Sequence, residues 1–98
     1  MWIGWIELDL LLGDVHSLKG KRSIVRPLVN DVKRKYSVSA AEVDAQDLYR
    51  RTVIGAGLVA DSRAHAVEVL DAVEQFVAYR PELELLSARR RIVSSDDD

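Results

Sequence analysis

The order of hydrophobic periodicities along this chain predicts an α+β fold. The expected architecture is a ferredoxin-like βαββαβ domain, a four-stranded antiparallel sheet in strand order 4-1-3-2 with two helices on one face. Three observations carry this. Period-two alternation opens and closes the chain, two stretches with helical spacing lie inside it, and a turn-rich tetrapeptide splits the middle strand pair. Right-handed crossovers then bring both helices to the same side of the sheet. A length of 98 residues suits one such domain and leaves no room for a second.

The first strand spans residues 2–12. Ile6, Leu8, Leu10 and Leu12 fall on one face, and Trp5, Glu7 and Asp9 on the other. Gly13-Asp14 punctuates its end. Ile24, Leu28 and Val32 then recur every four residues with Val25, Val29 and Tyr36 beside them, an amphipathic helix running to about Lys35. Pro27 is nearly free of cost in a first turn but costs roughly 3 kcal/mol deeper in a helix, so the regular helix is placed from about Ser23 with Ser23 as N-cap. The alternative is a start near Ser17 with a kink at Pro27.

Residues 36–43 and 48–60 form the middle strand pair, joined by a loop at Asp44 to Asp47. In the second of these strands Ile54, Ala56, Leu58 and Ala60 share a face, while Gly55 and Gly57 leave the other face flat. Asp61-Ser62 caps the second helix. Its stripe of Ala66, Val69, Leu70, Val73, Phe76 and Val77 runs to Arg80, and Pro81 stops it. Residues 82–93 return to extended character, with a bulge or a crossing of faces at Leu85-Leu86. Residues 1–93 are thus one domain. Residues 94–98, rich in aspartate, are expected to be an acidic disordered tail.

The composition excludes several function classes. Cysteine is absent, which removes disulfides, thiolate metal sites and a cysteine nucleophile. His16 and His65 alone cannot close a structural zinc site. A net charge of -2 argues against a globally basic nucleic-acid binder but not against a local basic patch. The apolar opening stretch contains Glu7 and Asp9 and has no basic flank. It therefore reads as neither a signal peptide nor a membrane span, and a cytoplasmic protein is expected.

Charge is segregated between the helices. Seven basic residues (Lys19, Lys21, Arg22, Arg26, Lys33, Arg34 and Lys35) face one acid, Asp31, in the first helical region, a net of +6. The second helix carries Asp61, Glu68, Asp71 and Glu74 against Arg63, a net of -3. Mutual attraction of adjacent helices explains this blandly; a surface for a polyanion such as RNA explains it functionally. The sharpest cluster is Ser17-Leu18-Lys19-Gly20-Lys21-Arg22-Ser23, small residues and cations where free N–H groups suit an anion. It lacks the glycine spacing of a nucleotide-binding P-loop.

Other chemistry is thinner. Glu42, Asp44 and Asp47 are oxygen donors near one loop, yet such residues are ordinary in turns, and no metal or other cofactor is assigned. No catalytic residue is assigned. Glu7 and Asp9 are expected to pair with Arg89 or Arg91 across the sheet. The third strand lacks the central aromatics of an RNA-recognition module. The bare sheet face carrying Trp5, Glu7, Arg89 and Arg91 is a candidate interface for a homodimer.

Two motifs carry a family resemblance. The first is the Ser17–Ser23 cluster followed by Pro27-Leu28. The second is Tyr36-Ser37-Val38-Ser39-Ala40-Ala41-Glu42-Val43-Asp44-Ala45-Gln46-Asp47, with Tyr-Ser where Phe-Asn is typical. With Gly4 and Gly55 they closely resemble the YlxP-like family of small bacterial proteins of unknown function, over about residues 1–93. The resemblance implies a ferredoxin-like fold. It also implies, through genes that often neighbour translation and ribosome-assembly factors, association with RNA or a ribosomal subunit. It supplies no catalytic or cofactor residues. The leading expectation is therefore a non-enzymatic binding module using the basic helix, with about six phosphate contacts and a salt slope of roughly -5 in log K. Self-association through the sheet is the alternative. No small-molecule substrate is evident; a third reading, an anion-ligand site or enzyme at the basic turn with an acid such as Asp44, ranks last and would gain weight from a deep pocket between Arg22 and the hairpin.

Overall fold

In the computed structural model, which describes residues 1–96, alternation in β1 (Trp2–Leu12) builds the core. Ile6, Leu8, Leu10 and Leu12 are fully buried. The remaining elements are α1 (Leu18–Tyr36), β2 (Ser39–Asp44), β3 (Arg51–Ala60), α2 (Arg63–Ala78) and β4 (Leu83–Ser94). The strands form one antiparallel sheet in the order β2-β3-β1-β4, the expected 4-1-3-2 order read from the other side. Thr52, Ile54, Ala56 and Ala60 of β3 add to the buried face. Val25, Leu28 and Val32 of α1 and Ala66, Leu70, Val73 and Val77 of α2 close over it. Each fully buried aliphatic chain contributes about 1.5–3 kcal/mol. Gly4 lets α2 approach closely, since a Cβ there would stand 3.2 Å from Leu70 Cδ1. Among the described residues, no helix is long and apolar enough to cross a membrane.

Several boundaries differ from the sequence expectation. The first helix begins at Leu18, not near Ser23: Ser17 is the N-cap and its hydroxyl accepts from Gly20 N at 3.0 Å. Pro27 is therefore interior. The helix tolerates it because Pro27 and Ser23, whose carbonyl loses its N–H partner, both lie on the exposed side, where water replaces the missing donor. Tyr36 ends α1 rather than opening a strand. Ser37 then takes a left-handed conformation (φ 53°) and β2 starts only at Ser39. β3 starts at Arg51, since residues 48–50 belong to the connecting loop.

Two bulges set the faces of the edge strands. Leu10 pairs with Leu85 and Asp9 with Ser87, so Leu86 is the extra residue and Arg89 and Arg91 move to the face opposite Leu83 and Leu85. In β2 the register shifts between Glu42 and Asp44, leaving Val43 extra and over Gly55. At the C-terminus β4 includes Ser94, and Ser95 N donates to Met1 O at 2.8 Å. Ordered pairing thus extends beyond residue 93. The part of the expected tail at 97–98 lies outside the described residues.

Candidate functional site

The cations of α1 divide into three groups by where the helix turns them. Lys21 lies on the buried stripe with Val25, Leu28 and Val32, at 2% exposure. Its Nζ donates to Ala45 O at 2.6 Å and Gln46 O at 3.2 Å and pairs with Glu42 Oε2 at 2.9 Å. Glu42 also accepts from the buried Thr52 hydroxyl at 2.5 Å. All three ammonium donors are used internally, which corrects the expectation that Lys21 contacts a phosphate. A lysine in this setting fixes the loop at residues 45–50, where Ala45 holds a positive φ of 61°.

The second group faces α2. Lys35 stands over the Phe76 ring at 4.8 Å, beside the edge-to-face Tyr36–Phe76 contact. Arg34 pairs with Asp31 at 2.9 Å, and Asp31 also receives Arg80 at 2.7 Å.

The third group is Lys19, Arg22, Arg26 and Lys33. All four are exposed and have no acidic partner among the described residues. Steps of three, four and seven residues put them on one helical face, spanning about 21 Å. The acids of α2 do not neutralise them. Asp71 and Glu74 instead hold Arg90 of β4, at 2.7 and 3.0 Å. Burial works against the Arg90 charge, but the hydrogen bonds it donates to Glu74 and Asp71, with the charges of those carboxylates, outweigh it and raise its pKa. Helix-to-helix attraction therefore does not account for the cationic run.

A cavity of about 430 Å³ opens between this stripe and the loop after β2. Arg22, Arg26 and Asn30 line one side, Gln46 and Asp47 the other, with Leu18, Val25 and Val29 beneath. The cavity lies beside Arg22 and the β2–β3 loop, where the third reading looked for a pocket, but Asp44 is not among its walls. Asp44 accepts from the N–H of Ala45, within its own turn, and Glu42 is turned to Lys21. No group of metal-holding side chains occurs among the described residues. Sequence reading missed Asn30 and Gln46. Asn30 is legible in retrospect, one turn beyond Arg26 on the same face.

On the bare sheet face Glu7 pairs with Arg89 at 2.9 Å, its cross-strand neighbour. Asp9 turns the other way, to Arg51, through bonds of 2.7 and 2.8 Å. Arg91 lies opposite Trp5, which is 37% exposed. Ile3, Val43 and Val59 are also exposed. The glycines Gly55 and Gly57 floor a depression of about 360 Å³ beside Trp5 and Val43.

Fold and surface together define a small ferredoxin-like α+β protein with one cationic helical face and an adjoining cavity. The chain belongs to the family described as "Protein of unknown function (DUF503)", which it matches over residues 3–90. It is also similar to a Bacillus subtilis (strain 168) protein named "Uncharacterized protein YlxP". The two are 34% identical over 82 residues, which covers 84% of this chain and 89% of that protein.

Proposed function

We propose that this protein is a cytoplasmic, non-enzymatic binding module for RNA, with a ribosomal subunit as the RNA-bearing partner. The observation that carries the reading is the row of Lys19, Arg22, Arg26 and Lys33, left without acidic partners among the described residues although acids are abundant elsewhere in the chain. An uncompensated linear row of cations favours a ligand whose negative charges also repeat along a line. With Lys21 buried, Arg34 paired and Lys35 on an aromatic ring, four contacts remain instead of the larger set expected from sequence. Four contacts give log K a slope of roughly -3 to -3.6 against log salt.

Fluorescence anisotropy with ribosomal RNA fragments across a salt series tests this. The expected result is that slope, reduced by about two on replacing both Arg22 and Arg26 by glutamine. A flat salt response, or an unchanged slope in the double variant, would refute the reading.

A second reading rests on the exposed apolar side chains around Trp5: a second copy of the chain docks on the bare sheet face. Light scattering at high concentration is expected to show a dimer that Trp5→Ala abolishes. A monomeric wild type would dismiss it.

A further inference from the structure

The cavity beside the cationic row is chemically more selective than the row itself. Its floor of Leu18, Val25 and Val29 is apolar, its helix wall carries Arg22, Arg26 and Asn30, and its loop wall carries Gln46 and Asp47. At the inner end, Lys21 and Glu42 are engaged with each other, so neither charge is free for a ligand. The volume of about 430 Å³ falls in the range of small-molecule sites.

These walls exclude simple occupants. A bare inorganic anion suits Arg22 and Arg26 but leaves the floor wet and meets the carboxylate of Asp47. A cation suits Asp47 but meets two guanidinium groups. An apolar ligand desolvates all three charges without compensation. A matching ligand carries an anionic group, a flat ring with apolar faces, and N–H donors on the ring edge.

We propose that the cavity takes one unstacked nucleotide. Arg22 and Arg26 hold its phosphate, the base lies on the apolar floor, and Asp47 accepts from ring-edge N–H groups while Asn30 and Gln46 complete the edge. Guanine is the preferred base, because its pairing edge presents two adjacent N–H donors to one carboxylate. The chemistry is shared by a free mononucleotide and by a nucleotide in an unpaired strand. The second case rests on the RNA-binding reading, with neighbouring phosphates running along Lys19 and Lys33.

Nuclear magnetic resonance titration of the full chain tests the proposal and separates the two sources. The probes are guanosine 5′-monophosphate, ribose 5-phosphate, and matched single-stranded and duplex RNA oligomers. Guanosine 5′-monophosphate is expected to shift the Leu18, Val25 and Val29 methyls and the Asn30 and Gln46 side-chain amides, binding about tenfold more tightly than ribose 5-phosphate. Asp47→Ala should weaken the mononucleotide while leaving ribose 5-phosphate unchanged or tighter, since it removes a carboxylate from the anion's surroundings. Gln46→Trp, at an exposed position on the loop wall away from the cationic row, should abolish mononucleotide binding and leave duplex RNA binding intact. Equal binding of the two small probes, or a gain of both in Asp47→Ala, overturns the proposal. Duplex and single strand binding alike with no mononucleotide shifts overturns it too, and the cationic row then stands alone. Mononucleotide binding without RNA binding upholds the cavity and removes the RNA reading.

Discussion

Lys21 shows how far a residue's neighbours in sequence can mislead about its neighbours in space. It sits in a run of cations, and sequence reading assigned it with them. The competing signal was its spacing: Lys21, Val25, Leu28 and Val32 step by four, three and four, the buried stripe of α1. Replacing it by methionine keeps the bulk but leaves Glu42 and the Ala45 and Gln46 carbonyls without their donor. Lys21→Met is therefore expected to lose about 3 kcal/mol of stability by urea unfolding, and Lys21→Met with Glu42→Leu to recover only part of it, since the buried Thr52 hydroxyl and the two carbonyls stay without partners. A loss under about 1 kcal/mol for the single variant would mean the pair does not hold the loop. Gly55 leaves flat ground on its strand, and the bulged Val43 of β2 occupies it. A Cβ at Gly55 would stand 2.9 Å from Val43 Cγ1, and the stiff valine cannot swing away without moving β2. Gly55→Ala is expected to cost about 1–2 kcal/mol, and Val43→Ala in the same chain to relieve most of it, as a double-mutant cycle would measure.

At the scale of elements, type and order were legible while ends were not. Alternation in β1 and the stripe of α2 are long, regular signals, and both elements lie where periodicity placed them. The ends of α1 depend on single residues that a periodicity does not weigh. Ser17 and Ser23 are both competent caps, and from sequence Pro27 favours the later one. The structure selects Ser17 because Pro27 points outward, so the helix loses a hydrogen bond only where water can replace it. That loss remains a cost, partly offset by the stiffness proline lends the unfolded chain. Pro27→Ala is accordingly expected to stabilise the protein by about 2 kcal/mol and raise its melting temperature. A lower melting temperature would show that Pro27 fixes a bend on which the packing of α1 depends. The bulge at Leu86 was legible as a break in alternation, but its consequence was not. Only pairing with β1 reveals that the extra residue sends Arg90 to the helix face, where it meets Asp71 and Glu74, and Arg89 to the other.

The molecule as a whole presents a cationic surface and an apolar one, and they lie on different sides. The row of Lys19, Arg22, Arg26 and Lys33 belongs to the helix layer, whereas Trp5, Val43 and Val59 belong to the bare face of the sheet. Sequence reading groups the cations by their run and not by their spacing, so Lys21, Arg34 and Lys35 join the exposed row there, while alternation puts Trp5 on the sheet face opposite the core. The cavity beside Arg22 depends on where a loop of irregular backbone comes to rest, which no period encodes. Since the surfaces do not overlap, face-to-face pairing through the sheets would leave both cationic rows exposed. A pair of chains engaging one RNA would then make about twice the phosphate contacts of a single chain, with a salt slope near -6 to -7 instead of -3 to -3.6. Trp5→Arg, which sets a charge into the exposed apolar patch, is expected to return the assembly to single chains and the slope to the lower value. Sedimentation of both forms beside the anisotropy series would measure this. If the slope stays the same while Trp5→Arg changes the mass, the two surfaces act independently and pairing has no part in holding RNA. If neither changes, the sheet face is not a contact between copies at all.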